Sequence, residues 1–280
     1  DISKYMPIMI PPDMVRPKTW ELPNRKAFFQ WLLENFDKYD TGNPARVAQV
    51  QREGIHPNPA RAPYNQLYPV QKLVRDFMAT ESPQRGILLY FGLGVGKTIS
   101  ALAVSEGILN KKHVIFISKA NLEGNFINTV MKAGQDYMVM NNYWIFVPIN
   151  TSNIDKYEEL RKHLNIPKRI SDENGGIYII DFSVRDSNYQ ELSVKHREAL
   201  NKQIIALIHE RFEFLHSNAP NIRKKVETMT FDDKVIIIDE VHNLTNGMTK
   251  EKSVASELYK IFMNAKNSKF IFLTGTPIIN

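Results

Sequence analysis

Gly86-Ile87-Leu88-Leu89-Tyr90-Phe91-Gly92-Leu93-Gly94-Val95-Gly96-Lys97-Thr98 decides how the rest of this sequence is read. The apolar run Gly86 to Tyr90 reads as a buried strand, and Ile99-Ser100-Ala101-Leu102-Ala103-Val104 as the start of a helix. Between them stand Gly92, Leu93, Gly94, Val95 and Gly96, then Lys97 and Thr98. A strand, a glycine loop and Lys-Thr at the mouth of a helix make a phosphate cradle. The glycines let successive backbone N–H groups turn inward onto an anion, and a helix N-terminus favours negative charge. Lys97 can reach the β- and γ-phosphates of a nucleotide, and the Thr98 hydroxyl can hold Mg2+. The strict pattern has a glycine five residues before Gly96, where this chain has Phe91. The loop therefore needs support from elsewhere, against the alternative of a ligand-free strand-to-helix turn.

That support lies in Val235-Ile236-Ile237-Ile238-Asp239-Glu240-Val241-His242. Four β-branched aliphatics in a row describe a strand buried on both faces, as a central parallel strand must be. Two carboxylates at its carboxyl end can face the phosphates. Asp239 can hold the Mg2+ that Thr98 also touches, and Glu240 can orient or deprotonate the attacking water. A last strand, Phe270-Ile271-Phe272-Leu273, ends in Thr274-Gly275-Thr276-Pro277. We expect His242 to hydrogen-bond toward Thr274 or Thr276 and to relay the state of the γ-phosphate to a moving partner. A tight turn without a role is the alternative there.

The bulk properties agree with an α/β enzyme of ordinary kind. The 280 residues are 43% hydrophobic and 24% charged, enough for a sizeable core. A formal charge of +6 and a pI near 9.2 tilt the partners toward acidic ones, nucleic acid first. The absence of cysteine excludes disulfides and thiolate metal sites. No apolar run is long enough to cross a bilayer, and no secretory signal precedes the first strand. A chain beginning at Asp1 is expected to be a piece of a longer one.

Residues 1–63 read as a Pro-rich extension packing on the core, broken by Pro7, Pro11, Pro12, Pro17 and Pro23. Within it Lys26 to Phe36 can form one amphipathic helix, with Phe29, Leu32, Leu33 and Phe36 on its apolar side. The aromatic residues Trp20, Phe28, Phe29 and Trp31 are read as packing the extension onto its neighbour rather than gripping a base. Residues 64–280 then form one domain. Leu67-Tyr68-Pro69-Val70-Gln71 opens a helix, and His113-Val114-Ile115-Phe116-Ile117-Ser118 is a second buried strand. Its carboxyl end carries Lys119, Ala120, Asn121 and, further on, Asn125, a place where open α/β sheets bind ligands. The stretch 131–233 offers two more strands, near Tyr143 to Val147 and Ile177 to Asp181, and a long helix from Glu191 to Leu215. Lys195, His196, Arg197, Lys202 and Arg211 give that helix a basic side, read as a solvated face before a phosphate-tracking one. The histidines show no paired spacing of a metal site.

Gln71, Gly92 to Thr98, Asp239 to His242 and Thr274 to Pro277 stand in an order that resembles the first RecA-like domain of superfamily 2 helicases and translocases. Leu273-Thr274-Gly275-Thr276-Pro277-Ile278-Ile279-Asn280 is similar to the matching block of chromatin-remodelling translocases, which also lack the first loop glycine. Ile87 to Thr98 further resembles helicase-like ATPases of large DNA viruses, of the poxvirus nucleoside triphosphatase I and early transcription factor type. The resemblance implies a RecA-like P-loop domain with a mostly parallel sheet flanked by helices, and ATP and Mg2+ as cofactors. It implies Lys97, Asp239, Glu240 and His242 in catalysis, and Gln71 with Gly92, Leu93, Gly94, Val95, Gly96, Lys97 and Thr98 on the nucleotide. Gln71 would read the adenine edge, since an amide can donate and accept at once. Thr98 and Asp239 would hold the Mg2+, Lys119 and Asn125 would approach the tracked strand, and Thr274, Gly275 and Thr276 would couple the two. The implied partner is nucleic acid, DNA ahead of RNA, with RNA polymerase or other transcription proteins and no membrane. The implied location is intracellular, in a virion or host cytoplasm.

In such motors a second RecA-like domain completes the ATP site with arginine fingers. None follows Thr276 here, so slow hydrolysis is expected of this chain alone. Two other readings remain: a P-loop ATPase acting on proteins, and a binding module with a decayed site. The first would not need Thr274-Gly275-Thr276-Pro277, and intact Lys97, Thr98, Asp239 and Glu240 speak against the second.

Overall fold

The structure, a computed structural model, describes Tyr5 and residues 14–39, 67–91, 96–108, 112–149, 154–184, 186–248 and 253–276. These residues form two compact units, one from described parts of 12–51, 67–126 and 212–280, the other chiefly from 127–211.

The first unit is built on a five-stranded, wholly parallel sheet. Its strands are β1 (Gly86–Tyr90), β2 (His113–Ser118), β5 (Phe212–His216), β6 (Lys234–Ile238) and β7 (Lys269–Thr274), in the order β1-β7-β6-β2-β5. Helices α2 (Pro69–Phe77), α3 (Lys97–Gly107), α8 (Ile222–Thr228), α9 (His242–Met248) and α10 (Val254–Asn264) belong to it, and α4 (Ala120–Ala133) leads the chain out. The interior strands are apolar without alternation because both faces are covered. Ile115 and Ile117 of β2 join Ile236 and Ile238 of β6 in one core with Leu258 and Phe262 of α10. Phe116, from the other side of β2, stacks on Phe126 of α4 with ring centroids 4.0 Å apart, beside Phe212 and Phe214 of β5.

Two strands depart from the reading of the sequence. β1 is an edge strand rather than a buried one. Among the described residues only β7 flanks it; Leu89 is buried, while Leu88 and Tyr90, which point the other way, are 49% and 56% exposed. The long helix expected from Glu191 to Leu215 ends at Arg211, and Phe212 begins β5 with no intervening loop. Ile204, Ile208 and Phe212 continue the helical spacing across the junction and hide it. Pairing with β2 decides in favour of strand, since Phe212, Phe214 and His216 sit opposite Val114, Phe116 and Ser118.

The described part of the N-terminal extension packs on α2. Helix α1 (Phe28–Phe36) buries Trp31 and Phe36, which with Tyr39 make a cluster against Val15, Trp20, Phe28, Leu32, Leu73 and Phe77. Phe29 and Leu33, expected on the apolar side, are 74% and 65% exposed instead. The bulkier Trp31 takes the inner face, and its indole N–H donates to the Thr19 carbonyl at 2.9 Å. Asp76 of α2, fully buried, fastens the extension: Oδ2 accepts from the Val15 N–H at 2.7 Å and from the Tyr39 hydroxyl, and Oδ1 from Arg75 Nε at 2.6 Å.

The second unit carries a two-stranded antiparallel sheet, β3 (Trp144–Pro148) against β4 (Gly176–Ile180), with α5 (Ile154–His163), α6 (Lys168–Asn174) and α7 (Val194–Arg211). Gln203 of α7, wholly buried, accepts from the Tyr178 N–H at 2.9 Å and donates to its carbonyl at 2.8 Å. One side chain thus satisfies a strand residue that has no further strand to pair with. Among the described residues no helix is long and apolar enough to cross a membrane.

Removing the shared acceptor of Val15, Tyr39 and Arg75 is expected to loosen the extension. Asp76→Ala should cost about 3 kcal/mol, read as a lowered Tm, and should bring trypsin cleavage first to Lys18, Arg25, Lys26 or Lys38.

Candidate functional site

Every described residue singled out for chemistry lies at or beyond a carboxyl strand end of the parallel sheet, except Gln71 on α2. Gly92, Leu93, Gly94 and Val95 fall outside the described residues, as does Pro277. Gly96 closes the loop at φ 86°, a left-handed conformation that suits glycine, and α3 begins at Lys97. Among the described residues no side chain caps the N-terminus of α3, so its first N–H groups lack the usual capping acceptor. Lys97 Nζ donates to the Phe91 carbonyl at 3.1 Å, and the Phe91 N–H donates to the Thr274 carbonyl at 3.3 Å. Thr98 is half-buried one residue on.

The carboxylate pair sits just beyond the end of β6, between β2 and β7. The Asp239 N–H donates to the Ile117 carbonyl of β2 at 2.9 Å, and the Val241 N–H to the Leu273 carbonyl of β7, also at 2.9 Å. Glu240 between them adopts φ 50°, a left-handed conformation that costs a non-glycine residue about 1 kcal/mol. Its N–H donates to Asp239 Oδ1 at 3.0 Å. Burial holds the Asp239 carboxyl above the usual carboxylate range, and the neighbouring Glu240 charge adds to the effect. The bond from the Glu240 N–H and the charges of Lys97 and His242 oppose it.

His242 ties this pair to the end of β7. Its Nδ1 lies 3.0 Å from Thr274 Oγ1 and 3.2 Å from Glu240 Oε2. Thr274 Oγ1 donates its one hydrogen to the Thr276 carbonyl at 3.0 Å and accepts from the Thr276 N–H at 3.2 Å. With that hydrogen committed, His242 Nδ1 is the donor toward Thr274, which assigns the tautomer. Gly275 forms the half-buried bend between the two threonines. A path of close polar approaches therefore runs from Lys97 through Phe91, Thr274, His242 and Glu240 to Asp239, in which the step from His242 Nδ1 to Glu240 Oε2 is a 3.2 Å approach without a hydrogen bond.

Gln71 lies against Gly96. Lys119 and Asn125 are exposed, beyond the end of β2 and on α4 respectively. The same margin holds residues that the sequence reading passed over, because β5 was hidden in the helical pattern. The Ser217 N–H donates to the Ser118 carbonyl at 2.8 Å, Asn218 Oδ1 accepts from the Ala120 N–H at 3.1 Å, and His216 Nε2 pairs with Glu123. The alternation Phe212, Phe214, His216 was the signal that could have found them. No group of three or more His, Asp or Glu able to hold a metal ion occurs among the described residues.

Comparison with known proteins fits this geometry. Residues 63–279 match the model of the family described as type III restriction enzyme, res subunit. A protein of Invertebrate iridescent virus 3 named as helicase 087L is 23% identical over 226 residues, 74% of this chain and 18% of its own length. A protein of Acanthamoeba polyphaga mimivirus named as an ATP-dependent RNA helicase is 25% identical over 231 residues, 75% of this chain and 17% of its own. A protein of African swine fever virus named as a termination factor NPH-I homolog is 25% identical over 198 residues, 69% of this chain and 20% of its own. The chain thus spans about a fifth of the length of these relatives. With the matched model covering most of its residues and a parallel RecA-like sheet beneath them, the chain belongs to the helicase-like family of the type III restriction enzyme res subunit.

Proposed function

We propose that residues 64–280 form the ATP-binding motor domain of a nucleic-acid-dependent ATPase that translocates on DNA, with residues 1–63 as its extension. The observation that supports this most directly is the polar path from Lys97 to Asp239, which brings the two halves of a phosphoryl-transfer site together. The residues present fit a magnesium-bound triphosphate. Uncapped N–H groups at the start of α3 suit an anion, and a half-buried carboxylate that ionises reluctantly suits a cation. Lys97 would pair with the β- and γ-phosphates, and Thr98 and Asp239 would hold the Mg2+, whose charge offsets that of the phosphates. Glu240 would accept a proton from the attacking water once free of His242, and His242 would report the change to Thr274. Lys119 and Asn125 would face the nucleic acid.

Charge supports the choice of partner. Residues 127–211 contain eleven Lys and Arg and eleven Asp and Glu, so the net +6 is carried by the rest of the chain, where the sheet lies. The relatives named as a helicase and as a termination factor support a nucleic-acid track, and RNA polymerase or other transcription proteins would accompany it. DNA is proposed on the likeness to chromatin-remodelling and poxvirus ATPases; the mimivirus name makes RNA the arm to compare.

Three outcomes are expected. Lys97→Ala should weaken magnesium-ATP binding by about tenfold to a hundredfold, measured with a fluorescent nucleotide. In the full-length protein, Glu240→Gln should bind as the unaltered protein does and release phosphate about a hundredfold more slowly; intact turnover would remove the role given to Glu240. Turnover should rise with duplex DNA, and stimulation by RNA alone would overturn the choice of DNA. The pH dependence follows from Asp239. A carboxyl whose folded pKa lies above its unfolded value lowers stability as pH rises through that interval, because folding then holds an ionised group in a setting that disfavours it. Asp239→Asn should therefore raise the Tm of the nucleotide-free protein at neutral pH. The gain should vanish below the ordinary carboxylate range.

A further inference from the structure

Gln71 is set in the structure differently from a group held ready for a base. It is 2% exposed, among the most buried polar residues of the chain. Its Oε1 accepts from the Tyr68 N–H at 2.9 Å, so the carbonyl is engaged in closing the first turn of its own helix, α2. Its Nε2 lies on the phosphate cradle: a Cβ added to Gly96 would come within 2.5 Å of it. Gly96 thus answers two demands at once, a φ of 86° and the close approach of a buried amide. Helix α3 starts immediately after it, and Lys97 is the first residue of that helix.

We propose that Gln71 is a positioning residue for the triphosphate: clamped by its own helix, its amide NH2 buttresses Gly96 and fixes where the start of α3 and Lys97 present their donors. A side chain bound at its carbonyl and enclosed by protein has little rotamer freedom to lose, so it can act as a rigid strut. The two helix starts, of α2 and α3, are joined through this one amide. The NH2 hydrogens also add positive partial charge beside Gly96 and the start of α3. The contribution of Gln71 therefore falls on the phosphates, which every nucleoside triphosphate shares, and not on the base alone. This inference rests on the nucleotide-binding reading of the site.

Inorganic tripolyphosphate, which has no base, separates the two roles. Gln71→Glu keeps an oxygen acceptor for the Tyr68 N–H and replaces the donor with a carboxylate oxygen; Gln71→Met keeps the length of the side chain and removes both polar ends. Calorimetry on the 280-residue protein with Mg2+ should show each substitution weakening tripolyphosphate by about tenfold, with ATP and GTP weakened by a similar factor. Thermal unfolding without ligand identifies which variants remain folded. Unchanged tripolyphosphate affinity in a folded variant, with loss confined to ATP, would overturn the inference and return Gln71 to the base. Failure of the unaltered protein to bind either tripolyphosphate or ATP would instead remove the nucleotide-binding reading beneath it.

Discussion

The site depends on the insertion of β7 between β1 and β6. Neighbouring strands of a sheet are held about 4.8 Å apart by their ladder bonds, so the end of the glycine loop strand and the end of the carboxylate strand stand about 10 Å apart. That gap cannot drift while the ladder is intact. Thr274, at the end of the intervening strand, is in contact with both sides: its carbonyl receives the Phe91 N–H and its hydroxyl meets His242. The backbone thus sets the distance and the side chain of one threonine joins the parts. Neither would hold if β1 were paired directly with β6.

Much of this was legible in the sequence for one physical reason. Val235 to Ile238 and Val114 to Ile117 are buried on both faces, and a run of β-branched and aliphatic residues with no polar alternation has few other places to go in a soluble protein. Once those strands are accepted, Asp239, Glu240 and Lys97 fall on the sheet margin by topology. What stayed hidden was decided by neighbours. Phe212 to His216 carries no local mark that outweighs the preceding helix; β2 recruits it. The exposed faces of β1 follow from its edge position, which no residue of β1 encodes. Phe29 and Leu33 are apolar residues on a helix whose buried face is settled by Trp31 and the groove offered by Leu73 and Phe77. The two roles of Gly96, by contrast, were half legible: glycine announced the backbone turn but not the amide packed on it.

The margin of the sheet is also where the fold is least comfortable. Glu240 takes a left-handed backbone, and Asp239 carries its charge in a setting that disfavours it. Both departures occur within two residues, directly beyond the end of β6, where the Asp239 N–H bonds to β2 and the Val241 N–H to β7. Local strain of this kind persists only when the surroundings over-determine it, and here two strands do so. Elsewhere the interior strands are mostly apolar, with one buried charge at the start of β7, where burial lowers the Lys269 pKa to about 8. Stability is concentrated in the apolar strands, and the strain at Asp239 and Glu240 lies beside the proposed chemistry.

The hydroxyl of Thr274 has one hydrogen, and the bend from Thr274 to Thr276 uses it. His242 must then direct its Nδ1 hydrogen inward, and whenever the ring is neutral a lone pair is left on Nε2. A ring in that state welcomes a hydrogen-bearing visitor and repels an anionic one. The small turn at the end of β7 thereby selects the polarity of whatever approaches the outer edge of His242: a guanidinium, an ammonium or an amide N–H is complementary, a carboxylate is not.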